Sequence, residues 1–79
     1  MVSEKLTSLM DEFIEACKAR GFHKQTAGVL GIMAGSKDAH AVFGNSIESF
    51  TKLVELTKSC KDEQDLINQF SRLVRPEHN

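Results

Sequence analysis

Seventy-nine residues carry ten basic and eleven acidic side chains, a formal charge of -1, with 41% hydrophobic and 27% charged residues. That composition belongs to one small folded domain and excludes a disordered segment, while the balanced charge excludes the electrostatic excess behind nonspecific binding to nucleic acid or anionic membranes. A core of this size contributes roughly 3–5 kcal/mol unless a metal, a disulfide or a second copy adds to it, so self-association is expected.

From Val2 to Arg20, apolar residues recur every three or four positions (Val2, Leu6, Leu9, Met10, Phe13, Ile14, Cys17), which predicts an amphipathic helix over about residues 3–20. Ser3 is its N-cap, Lys18 and Arg20 suit the negative end of its dipole, and Gly21 is placed for a left-handed residue with Phe22 folding back. Near the other end of the chain, Asn45 and Glu48 form a variant capping box ahead of Ile47, Phe50, Leu53, Val54 and Leu56, predicting a helix over about 46–59. The charged run "CKDEQDL" then breaks the pattern, and Asp62 or a neighbour caps a further helix over about 62–75, with Leu66, Ile67, Phe70, Leu73 and Val74 as its buried stripe and Pro76 as its stop. The last residues, "EHN", read as a frayed tail.

The middle segment, "AGVLGIMAGSKDAHAVFGN", holds four of the five glycines. In helix interiors each would cost about 0.8–1 kcal/mol relative to alanine. A β-hairpin of strands 27–34 and 39–44, turning at Ser36 and Lys37, avoids that cost. It also gathers Leu30, Ile32, Ala34, Ala39, Ala41 and Phe43 on one apolar face. The other face carries Val29, Gly31, Met33, His40, Val42 and Gly44, a poor surface to leave in water. The expected fold class is therefore α+β, in the order helix, β-hairpin, helix, helix, with an all-α helical bundle as the alternative.

No motif signals chemistry. Gly31 and Gly35 are too close together for a phosphate loop, and Asp38 would repel phosphate. Ser36, Asp38 and His40 diverge through a turn rather than converging as a catalytic group. His23 and His78 have no metal-ligand partners at usable spacing, and neither a zinc site nor a cofactor is expected. Cys17 and Cys60 lie far apart and outside any CxxC pattern, pointing to cytosolic thiols, with Cys17 buried on its stripe and Cys60 exposed beside Lys61. The longest uncharged stretch, Gln25 to Ser36, is twelve residues, too short to span a bilayer, and in the opening "MVSEKLTSLMDE" acids and a lysine interrupt the apolar run that a signal peptide needs.

These readings predict a cytoplasmic, non-enzymatic interaction or assembly module, a homodimer or a binder of another protein. Contact would run through the outer face or edges of the hairpin, at Val29, Met33, His40 and Val42. The alternative is a small helix-turn-helix-like regulator that touches nucleic acid through residues 22–43, with Lys18, Arg20, Lys24 and Lys37 as its contacts.

Overall fold

The computed structural model describes residues 3–75. Val2 of the predicted stripe, the stop at Pro76 and the tail with His78 lie outside them. Five helices follow one another: α1 (Glu4–Ala19), α2 (Lys24–Ala34), α3 (Lys37–Phe43), α4 (Ser46–Ser59) and α5 (Glu63–Leu73). They hold 81% of the described residues, and no strand occurs among those residues.

The α+β expectation is thus overturned in favour of an all-α domain, because the middle segment folds as two helices rather than a hairpin. Four interior glycines would cost twice what this fold bears. Gly35 is the C-cap of α2 and Gly44 the C-cap of α3, so only Gly28 and Gly31 occupy a helix interior. Gly44 has φ 95°, a left-handed conformation that favours glycine. The turn signal at Gly35 and Ser36 is the stop of one helix joined to the start of the next. Ser36 Oγ accepts from Ala39 N–H at 3.2 Å and donates to the Met33 carbonyl at 2.7 Å, capping α3 and closing α2 together.

The outer helices form for the reasons their sequences give. Leu6 N–H donates to Ser3 Oγ at the start of α1, and Gly21, at φ 71°, ends it. There Phe22 N–H reaches the Cys17 carbonyl and Gly21 N–H the Lys18 carbonyl, a Schellman motif. Asn45 caps α4 through Glu48 N–H at 2.9 Å. Asp62 caps α5 through Asp65 N–H at 2.8 Å, while the Asp65 carboxylate accepts from Lys61 N–H.

The amphipathic helix α4 is the hub. It packs most extensively along α1 and also touches α2, α3 and α5. Phe13, Leu30, Leu53, Leu66 and Phe70 are fully enclosed around it. Two polar residues share this interior because their hydroxyls find carbonyls: Ser49 Oγ donates to Ala34 O at 2.8 Å, pinning the end of α2 onto α4, and Thr57 Oγ1 to Leu53 O.

Candidate docking site

Only the inner side of α2 is covered. Leu30 and Ala34 point into the core, but Val29 is 55% exposed and Ile32 77%. Between Lys24 and the end of the helix there is no charged residue. A helix apolar all round is ordinarily enclosed on every side, so this one leaves an uncovered face.

On one flank of that face, α1 and α2 part to leave an apolar hollow of about 570 Å³. Phe13 and Phe50 line it from the core side, Met10 and Ile14 from α1, and Ala27, Gly28 and Gly31 from α2, with Ile32 at the rim. Met10 to Lys18 on α1 and Lys24 to Ile32 on α2 each cover about 12 Å at 1.5 Å per residue, so the two lysines sit together at the end nearest the α1–α2 turn. A side-chain carbon added at Gly28 or Gly31 would meet nothing within 4 Å. These two glycines are required neither by a left-handed backbone nor by a close neighbour, and their effect is to widen the hollow.

A second hollow of about 490 Å³ lies beyond Ile32, where Met33, Ser36 and Asp38 face Ser71, Arg72 and Arg75. Ile32 is therefore a ridge between two depressions, with cations bordering both.

The α1–α2 turn itself is clamped onto the α4–α5 connection. Arg20 Nη1 donates to the Thr57 carbonyl and Nη2 to the Cys60 carbonyl, each at 2.9 Å, and the guanidinium lies 5.2 Å from the centre of the Phe22 ring. Glu63, at the start of α5, accepts from the Thr26 hydroxyl and meets His23 Nδ1 at 3.1 Å. The Thr26 hydroxyl, ahead of the His23 ring, holds the Glu63 carboxyl below its usual value of 4.5. A carboxylate with a depressed folded-state pKa contributes stability above its unfolded pKa and loses it as pH falls through the folded value. Acidification below about 4.5 should therefore lower the Tm of the wild type more than that of Glu63→Gln, which a Tm series from pH 6 to pH 2 will measure.

These positions redistribute the predicted contacts. Val29 and Val42 are exposed, Met33 packs against the core, and His40 Nε2 meets Ser46 Oγ at 2.7 Å across the Gly44–Asn45 turn. No ribbon face unites the four, which removes self-association through a hairpin. The nucleic-acid alternative is also corrected. Although Lys24–Ala34 and Lys37–Phe43 are two helices joined by a turn, as it requires, α3 has only seven residues, and Arg20 is spent on backbone carbonyls. Lys18 and Lys24 border an apolar hollow rather than a polar groove that could follow phosphates, and Lys37 stands exposed beside Asp38 in the first turn of α3.

Cys60 is buried, not exposed; its thiol donates toward the Thr57 carbonyl and its sulfur accepts from Arg20 Nη1, each at 3.5 Å. The Cys17 thiol is pushed up to about 11, first by burial and then by the nearby Cys60 and Glu63. Among the described residues no group of three His, Cys, Asp or Glu side chains is placed to hold a metal, and no helix is long and apolar enough to cross a membrane. Sequence reasoning missed Ile32 and Gly28 as surface residues. The charge-free length of α2, longer than a core-facing stripe needs, was the signal that could have found them. No protein-family model, curated protein or solved structure matches this chain.

Proposed function

We propose that this chain is a protein-docking module, without catalysis of its own, whose binding surface is the uncovered face of α2 with the hollow between α1 and α2. The observation that carries the reading is Ile32, a large aliphatic side chain 77% exposed beside a preformed apolar depression. The depression has the dimensions that an apolar helix face fills, with anchors spaced at i, i+3, i+4 and i+7, and Gly28 and Gly31 let a partner backbone approach closely. A cytoplasmic location is in keeping with two free buried thiols.

The test is an amide-shift NMR titration with a helical probe peptide of about 15 residues, leucines on one face and glutamines elsewhere. Shifts are expected at Gly28, Gly31 and Ile32, and they should be lost in Ile32→Asp. That variant should keep its own stability within about 0.5 kcal/mol, because the side chain it replaces contributes little to the core. Unperturbed α2 amides, or shifts confined to other helices, would overturn the reading.

A further inference from the structure

We propose that the occupant of this surface is an amphipathic helix of another protein that carries acidic residues on both sides of its apolar stripe. The inference rests on the docking reading and adds the chemistry of the partner. Four of the chain's ten cations border the uncovered face of α2: Lys18 and Lys24 in one hollow, Arg72 and Arg75 in the other. Among the described acidic residues only Asp38 lines either hollow, and Glu15 touches Lys18 at 3.4 Å as a neighbour on the exposed side of α1. A chain with a net charge of -1 has thus gathered a local positive excess around its most exposed apolar residues, and the surface elsewhere is correspondingly acidic.

That arrangement selects among occupants. A second copy of this chain, meeting the same face, would bring four more cations against the first four, a like-charge juxtaposition that disfavours pairing. An acidic helix brings the opposite charge to both flanks while its apolar stripe covers Ile32 and enters the hollow lined by Phe13 and Phe50. A bilayer surface also supplies apolar and anionic groups, but it is flat on this scale. The face offers a ridge between two depressions, relief that a rod of helical diameter matches and a planar surface leaves half filled.

The deciding experiment titrates the full chain with three probe peptides sharing one leucine stripe and differing only in flanking residues: glutamate, glutamine or lysine. The glutamate peptide is expected to bind at least tenfold more tightly than the lysine peptide at low salt. The gap should narrow as ionic strength rises, and it should reverse in Lys18→Glu/Lys24→Glu. If the glutamine peptide binds at α2 and the glutamate peptide binds no better than the lysine one, the acidic-partner inference falls while the docking reading stands. If none of the three moves the α2 amides, both fall. Light scattering is expected to show a monomer at high micromolar concentration; a dimer with its α2 amides in the interface would identify a second copy as the occupant and overturn the proposal. Tighter association with phosphatidylserine vesicles than with any peptide, through the same amides, would overturn it in favour of a membrane surface.

Discussion

Phe70→Ala should leave the chain largely unfolded at 25 °C, and circular dichroism at 222 nm with a urea titration will show it. Phe70 is completely enclosed and belongs to the amphipathic stripe of α5. Its ring lies parallel to that of Phe43, with centroids 6.0 Å apart and planes within 7°, so it also holds the short helix α3 against the core. Truncating a buried phenylalanine to alanine typically costs about 3–5 kcal/mol, the transfer term plus the unfilled cavity. That equals roughly all that a core in a domain this small contributes. Phe70→Leu, which restores most of the volume, should fold and lose about 1–1.5 kcal/mol. Phe43→Ala, removing a half-buried ring, should fall between the wild type and Phe70→Ala. A Phe70→Ala protein with full helix content and a Tm within a few degrees of the wild type would show that the α5 stripe is not the keystone assigned to it.

The parts of this fold that could be read in advance are those where one pattern excludes the others. The stripes of α1, α4 and α5 repeat over three turns or more, and Ser3, Asn45, Asp62 and Gly21 mark their ends with side chains or backbone conformations suited to few other roles. In the middle segment the two periods coincide. Leu30 and Ala34 are four apart, so they share a side both on a helix and on a strand; Ile32 and Met33 between them distinguish the two, and Ile32 proves exposed while Met33 packs against the core. The glycine count misled because it did not separate interior positions from ends. A hairpin turn and a helix stop followed by a helix start use the same residues, glycine then serine then aspartate, for the same reasons of φ and side-chain capping.

The site was legible in a different sense. That the middle segment carries more apolar surface than its fold covers follows from composition and survives the change from strand to helix, although the residues that bear it move. Val29 stays on the surface while Met33 turns inward, and Ile32 takes the prominent position. The cationic border was out of reach, because Arg72 and Arg75 stand more than forty residues from Lys24 and only the packing of α5 beside α2 brings them to the same ridge.

Arg20→Ala should destabilise the domain by about 2 kcal/mol, lowering Tm by roughly 8–16 °C for a chain of this size, and should make Cys60 react with a thiol reagent under native conditions. Local sequence suggests only a basic residue at the end of α1, serving that helix's dipole or a phosphate. The structure sends the side chain to α4 instead, where its two terminal nitrogens each donate to a carbonyl at 2.9 Å, with longer contacts to Lys58 and Lys61. Those carbonyls are the ones a helix end leaves unpaired, and a planar cation is the group that satisfies two at once and meets the negative end of the dipole. Burial is partial, so the effect sits toward the lower part of the range for charged hydrogen bonds. Arg20→Lys should recover less than half of the loss, since an ammonium cannot span both carbonyls, whereas Lys18→Ala, two residues away, should change stability by no more than about 0.5 kcal/mol. Cys60 lies directly beneath the guanidinium, with its sulfur 3.5 Å from Nη1, and so reports opening at this point in the fold. Unchanged stability with an unreactive Cys60 in Arg20→Ala would mean that the Glu63 contacts alone hold the turn. Loss of stability together with a reactive thiol would place Arg20 as the fastening between the two halves of the chain, and with it the mouth of the hollow that Lys18 and Lys24 border.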